Sequence, residues 1–454
     1  MARLFFDAAL TPGGWARDVL VTHDGGLITG VEAGAVRGDS AYGGAIALPG
    51  LASLHSHTFQ RGMAGLAEVR GPAHDSFWTW RQVMYRFLGV LTPEDVEAIA
   101  AFAFMEMIER GFTTVGEFHY LHHGPEGAPY ANLAELSGRI IAAAGESSIG
   151  LTLLPVLYVH GGFGGAAPVA GQRRFLNPLE RYLRLLEEAR RLAGLLPGTR
   201  VGIAPHSLRA VAPDDLTRLL AAVPEGPVHI HIAEQMREVE DCLAWSGQRP
   251  VEWLLNHQPV DGRWCLIHAT HMTEAETRGV ARAGAVAGLC PLTEANLGDG
   301  TFNLPVFREA GGLYGVGTDS NIEITAPGEL KQLEYSQRLH HRARNVAPGG
   351  EGQSSGATLY QAALKGGAQA LHQPGGALAP GCRADIVVLD ATHPDLCAGA
   401  GARWLDSYVF VAGAGAIDTV YVAGERVVDN GRHRLREGIV RRYQGVIRRI
   451  AAHL

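Results

Sequence analysis

The chain has 454 residues, 46% of them apolar and 19% charged, a globular composition that suits a large barrel of roughly 250 residues or more plus a smaller unit. A formal charge of −7 without a Lys/Arg-dense stripe argues against nucleic acid as a partner, and the basic end RRYQGVIRRIAAHL reads as the solvated face of a helix. No stretch approaches about 18 uncharged apolar residues, the N-terminus lacks an export signal, and Cys242, Cys265, Cys290, Cys382 and Cys397 read as reduced thiols, so the expected setting is the cytoplasm, away from membranes.

Residues 1–47 hold short strand-like pieces, ARLFFDAAL and RDVLVTHDGGLITGVEAG, closed by glycine turns. From Leu48 onward eight apolar runs alternate with helical patterns. The runs are LPGLASLH (48–55), FTTVGEFHY (112–120), GLTLLPVLYV (150–159), RVGIAPHSL (200–208), PVHIHIAE (227–234), WCLIHAT (264–270), AVAGLCPL (285–292) and LYGVGTDS (313–320). Helices are predicted at PEDVEAIAAFAFMEMIERG, PLERYLRLLEEARRLAGLL, APDDLTRLLAAV, RPVEWLLNH and MTEAETRGVARAG, with proline or an acid near several starts. The aromatic stretch SFWTWRQVMYRF reads as a loop over residues 74–87, part of the core or a lid, with a lid or subunit contact preferred. Residues 340–357 read as a mobile polar loop, and ADIVVLDA and IDTVYVAGERVVDNG return to the style of the N-terminus.

Strands alternating with helices imply parallel pairing. The expected fold class is α/β: a (β/α)8 TIM-like barrel over residues 48–375, with a small β-sandwich domain formed by both termini, 1–47 plus 376–454. A doubly wound open sheet is the alternative, but it would carry a glycine-rich phosphate loop after its first strand, where HSH stands.

In such a barrel the reactive groups gather at the C-terminal strand ends, and the polar residues fall there. His55 and His57 close the first run and share a face, so two imidazoles aim at one point. His206 and Arg209 close the fourth run, His231 and Glu234 the fifth, His268 and His271 the sixth, and Asp319 the eighth. A mononuclear hydrolytic site needs three or four ligands, and His55, His57, His231 and Asp319 fill that list. His229 lies one strand step deeper, where a structural hydrogen bond is as good a reading as a ligand. Glu234 is the candidate proton shuttle, set against a plainer role at a helix N-terminus. His268 is the candidate to hydrogen-bond the attacking water and stabilise developing charge.

PGLASLHSHTFQR, HIHIAEQ, LIHATH and GVGTDS together resemble the amidohydrolase superfamily, in its deaminase branch, where such residues surround one divalent metal, commonly zinc. LHSHTFQRGMAGLAE, FHYLHH, PHSLRAV and HIAEQ are most similar to its N-formimino-L-glutamate deiminases of histidine degradation. No bridging lysine ends the fourth run, which fits one metal rather than two. The resemblance implies Zn2+ on the four ligands, Gln60, Arg81, Tyr120, His206 and Arg209 as contacts to a small substrate with carboxylates, and a homodimer. It also implies hydrolytic deimination to N-formyl-L-glutamate and ammonia, with Glu234, His268 and Asp319 as catalytic residues. Whether Asp319 or Glu234 takes the first proton stays open. Arg81 has a plainer reading as a surface cation packed on Trp78 or Trp80, and Arg61 is a competing cation that strand alternation turns away from Gln60. An amino-heterocycle deaminase or chlorohydrolase would keep every ligand, and a non-catalytic scaffold would lose them.

Overall fold

The computed structural model describes residues 1–70 and 77–452. Four strands open the chain, β1 (Ala2–Thr11), β2 (Gly14–Asp24), β3 (Leu27–Glu32) and β4 (Ala41–Pro49). Gly25 and Gly26 turn β2 into β3 at φ +55° and +83°, the left-handed region that glycine enters without a Cβ clash.

The eight apolar runs all become strands at their expected places, β5 (Leu51–Ser56), β6 (Phe112–His119), β7 (Gly150–Leu157), β8 (Arg200–Val201), β9 (Ala204–Pro205), β10 (Val228–Ile232), β11 (Trp264–His268), β12 (Val286–Leu289) and β13 (Leu313–Val316). The fourth run gives two short strands. Between them a Cβ on Gly202 would lie 2.6 Å from the Pro227 carbonyl and 2.8 Å from Leu154, so the chain there is pressed against its neighbours. β6 and β7 are buried at every residue, as parallel strands covered on both faces should be.

Pairing is parallel throughout this core, along β5-β6-β7-β8 with β9 on β7, and along β10-β11-β12-β13. The two sheets meet at isolated parallel bridges, Ser56 with Asp319 and Ile203 with Val228. Hydrogen bonds flank both seams, His57 N to Asp319 O at 2.9 Å, Asp319 N to His55 O at 3.0 Å and His231 N to His206 O at 3.1 Å. The architecture is therefore a parallel α/β core of the expected strand order, with ladders interrupted at two seams where a closed barrel was expected.

The five predicted helices form over Pro93–Glu109, Leu179–Ala193, Pro213–Ala222, Pro250–His257 and Glu274–Ala283. Thr92 with Asp95 and Thr273 with Glu276 make reciprocal capping boxes at two of their starts, satisfying amides the helix itself leaves open. The aromatic stretch is a helix, Phe77–Leu88, which corrects the expected loop; residues 74–76 of that stretch lie outside the described residues. The loop after the helix Ala326–His341 is pinned where Val346 N and Ala347 N each donate to Glu334 at 2.8 Å.

β14 (Ile386–Leu389), β15 (Ile417–Val422), β16 (Glu425–Asp429) and β17 (Arg432–His433) complete a sheet ordered β17-β16-β15-β14-β4-β1-β2-β3. Strands of both termini build it, as expected, but as one continuous sheet where a β-sandwich was expected. It curls: Ile28 N donates to Cys382 O at 2.8 Å and Ala384 N to Gly26 O at 2.9 Å, tying edge strand β3 to the approach to β14. Leu4, Phe6, Val19, Val21, Ile28, Ile386, Val388 and Tyr421 form its own apolar cluster, in which the Phe6 and Tyr421 rings meet edge to face at 6.4 Å.

The last helix, Arg436–Ala451, leaves Arg441, Arg442, Arg448 and Arg449 exposed, as the solvated reading of the basic end expected. Tyr443 stacks on Phe102 at 3.9 Å, and Arg436, Arg442 and Arg449 pair with Glu109, Glu146 and Asp95. Arg442 and Arg449 thus face solvent while also pairing with acids on neighbouring helices.

Candidate active site and metal centre

The C-terminal strand ends carry an unusual backbone. Ala233, His268, Ala269, Asp319 and Asn321 all lie at positive φ, between +42° and +66°, where a residue with a Cβ costs about 1–3 kcal/mol. Asn321 holds one such turn by donating its side-chain amide to Ser56 Oγ at 3.1 Å, His57 O at 3.2 Å and Asp319 O at 2.9 Å. Behind it, buried Glu117 accepts hydrogen bonds from Thr58 N at 2.8 Å and Thr58 Oγ1 at 2.7 Å, fixing the short helix that starts after His57.

These turns bring His55, His57, His231 and Asp319 together, buried, with one ligand atom from each within 4.8 Å of all the others. His55 Nε2 lies 3.2 Å from His57 Nε2 and 3.1 Å from His231 Nε2, and Asp319 Oδ1 is 3.4 Å and 3.2 Å from His55 and His57. Carbonyl oxygens fix the tautomers. His57 Nδ1 must donate to Phe118 O at 2.9 Å and His231 Nδ1 to His206 O at 3.1 Å, which leaves both Nε2 lone pairs facing inward. One proton on His55 Nε2 cannot satisfy both. Burial drives His55 down to about 3 and pulls His57 and His231 below the usual imidazole range. Burial would raise Asp319, yet the hydrogen bond from His55 and the His55, His57 and His268 rings hold it below the usual carboxylate range. Three imidazoles that burial keeps neutral and one carboxylate, converging on a single point, are the donor set of a divalent cation.

Glu234 and His268 stand beside this cluster. Burial lifts Glu234 to about 7, against the opposing influence of His268 and Arg209. His268 Nε2 lies 3.8 Å from Glu234 and 3.9 Å from Asp319, while its Nδ1 is 3.2 Å from Glu294. Burial opposes the charged imidazole, but the Glu234, Glu294 and Asp319 carboxylates outweigh it and push His268 up to about 10. Glu294 also accepts from Cys290 N at 2.8 Å, so one carboxylate fixes both a helix start and the His268 ring. Sequence reasoning missed Glu294, though its place in CPLTEAN just past a strand end was a usable signal. It also missed Asp299, which burial and the neighbouring Glu234 lift to about 9.

The cluster opens into a cleft of about 570 Å3. All five expected substrate contacts, Gln60, Arg81, Tyr120, His206 and Arg209, line it together with His57, His231, Glu234, His268 and Asp319. Gln60 Nε2 donates to Tyr120 Oη at 2.8 Å. Arg81 stacks on Trp78 at 4.7 Å, as its plainer reading expected, and still lines the cleft. Half-buried Arg209 has no carboxylate within ion-pair distance among the described residues, and its Nε has no hydrogen-bond partner there. Arg61 turns away to Glu106 at 2.7 Å and His229 donates to Ala370 O at 2.8 Å, so neither joins the site. His271 does not line the cleft either. Tyr85, Tyr158 and Phe175 line it unforeseen; Tyr158 follows a strand end, but Phe175 comes from a loop with no periodic signal.

Known proteins resemble this chain over most of its length. Residues 46–427 match the amidohydrolase family. Formimidoylglutamate deiminase of Pseudomonas aeruginosa is 50% identical over 98% of this chain and 99% of its own. The crystal structure of an amidohydrolase from Brucella melitensis is 51% identical with a TM-score of 0.96, covering 99% of this chain and 100% of that one. At the level of fold alone, zinc-complexed atrazine chlorohydrolase from Arthrobacter aurescens TC1 superposes with a TM-score of 0.82 at 21% identity, covering 98% and 100%. With its strand order, its converging imidazoles and this match over most of its length, the chain belongs to the amidohydrolase family.

Proposed function

We propose that this protein is a metal-dependent hydrolase of a non-peptide C–N bond that deiminates N-formimino-L-glutamate to N-formyl-L-glutamate and ammonia, a step of histidine degradation. The observation that carries the substrate is Arg209, a half-buried guanidinium facing the cleft with no carboxylate within ion-pair distance among the described residues, Glu238 and Glu234 lying only near enough to favour its charge. A substrate carboxylate supplies the missing partner, and a charge-assisted pair in a sheltered site is strong enough to select for it. The full-length relative from Pseudomonas aeruginosa bears the matching name.

His55, His57, His231 and Asp319 would hold one divalent ion, which we take to be Zn2+. When bound, such an ion supplies the Lewis acidity that makes water nucleophilic near neutral pH. Arg81 and Arg209 bind the substrate's carboxylates, with Gln60, Tyr120 and His206 positioning its amidine-like head. Glu234, poised at about 7, can protonate the imino nitrogen, take a proton from the attacking water and deliver it to the departing ammonia. His268, oriented by Glu294, points its Nε2 side toward Asp319 and Glu234 and stabilises charge on the tetrahedral carbon's oxygen. Either Asp319 or Glu234 accepts the first proton.

On this reading the two parallel sheets act as one (β/α)8 barrel over 48–375, with 1–47 and 376–454 as the small β unit. A homodimer working in the cytoplasm without nucleic-acid partners completes the proposal; no described helix is long and apolar enough to cross a membrane. The aromatic wall of Trp80, Tyr120, Tyr158 and Phe175 favours an amino-heterocycle deaminase as a second reading. Ammonia release from N-formimino-L-glutamate, guanine and cytosine separates the two. Release from the first alone supports deimination, and release only from a base overturns it.

A further inference from the structure

Beside the catalytic cleft lies a second, wider one of about 1310 Å3 that the deimination chemistry does not use. Arg81 and Arg209 line both, so the two clefts adjoin at those side chains. On one wall the Trp78 indole carries three guanidinium groups, those of Arg81 at 4.7 Å, Arg237 at 4.7 Å and Arg209 at 5.8 Å. On the other, Phe163 and Trp245 stack at 5.4 Å. Asp241 is the one carboxylate among the described lining residues, 3.7 Å from Arg237 with both side chains more than half exposed. An ion pair that long and that wet holds its arginine weakly.

The three guanidiniums are shared between the clefts. Arg237 lines only the outer cleft, whereas Arg81 and Arg209 reach the catalytic one. The molecule as a whole carries a formal charge of −7, so a dicarboxylate approaches a body of its own sign. Cations gathered between low-dielectric aromatic walls focus the local field and raise the anion concentration at that place.

We propose that the outer cleft is an anion-binding station for the dicarboxylate substrate, in which Arg237 on the Trp78 face receives a carboxylate that then passes to Arg81 and Arg209. The inference rests on the dicarboxylate reading above, and Arg237 is its specificity-determining cation.

The test compares the metal-loaded wild type, Arg237→Gln, Arg237→Glu and, as a control of equal net charge, Arg191→Gln on an exposed helix face remote from both clefts. With N-formimino-L-glutamate, kcat/KM is followed from about 0.02 to 0.3 M salt. Arg237→Gln should lower kcat/KM about fivefold at low salt, through KM, and flatten its salt dependence; Arg237→Glu should do both more strongly. A loss no larger than that of Arg191→Gln, with the same salt slope, overturns the station. Calorimetric titration with glutarate, which has two carboxylates and no amidine, decides independently of turnover. If the wild type releases no ammonia, the functional reading fails by itself. The station then stands if Arg237→Gln weakens glutarate binding about threefold or more, and falls if the dissociation constants are equal.

Discussion

The curled terminal sheet and the C-terminal rim of the parallel core are built from the same chain under opposite rules. The sheet closes an apolar cluster around Phe6 and Tyr421, and its local choices agree at every level, from glycine turns to strand pairing. The rim buries three imidazoles and the carboxylates of Glu234, Glu294, Asp299 and Asp319 within one region, beside a half-buried arginine without an ion pair among the described residues. It also places Ala233, His268, Ala269, Asp319 and Asn321 at positive φ. Strain and buried charge of this kind persist only where surrounding structure enforces them, and they mark where stability has been given up for chemistry.

That contrast can be broken from either side. Asp319→Ala removes a ligand and should produce the largest effect, a fall in kcat of at least about 10⁴-fold with metal lost on dialysis. A zinc-loaded and active variant, by metal count and ammonia assay, would reject the ligand set. Glu234→Gln should keep the metal and lose about 10²- to 10⁴-fold in kcat, and the wild-type kcat should titrate near pH 7. The same variant sharpens the comparison through stability. A carboxyl lifted to about 7 by burial stabilises the fold while protonated and loses that contribution as pH rises from its ordinary range through 7. Metal-stripped Glu234→Gln should therefore unfold at higher temperature than the wild type at pH 8, with the difference vanishing at pH 4.

Arg209→Met should raise KM roughly 100-fold, the cost of leaving a sheltered carboxylate without its cation; an unchanged KM in steady-state kinetics would remove the carboxylate clamp. Phe6→Ala should have the smallest effect on turnover and a large one on folding. It empties a fully buried site in the terminal sheet and should cost about 3–5 kcal/mol in denaturant titration, with kcat per folded molecule unchanged.

Much of this was legible in the sequence because strand periodicity is local. HSH, HIH and TDS each sit at the end of an apolar run, so the side chains at His55, His57, His231 and Asp319 could be assigned to one rim before any coordinates. The pairing of the termini was legible too, from turn residues and strand-like runs at both ends. What escaped depends on tertiary approach. Phe175 reaches the cleft from a loop, Glu294 earns its place only through the distant His268 ring, and the arginines of the last helix find Glu109, Glu146 and Asp95 across hundreds of residues. The stretch from Phe77 to Leu88 was misread because its aromatics suggested a loop, while its helical face packs Met84 and Phe87 into the core.

The most direct test is to strip the protein with a chelator and add zinc stepwise while following ammonia release from N-formimino-L-glutamate. The account predicts no release without metal and a linear rise to a plateau at one equivalent per chain. Full activity in the stripped protein, or one tightly bound zinc with no ammonia released, would contradict it.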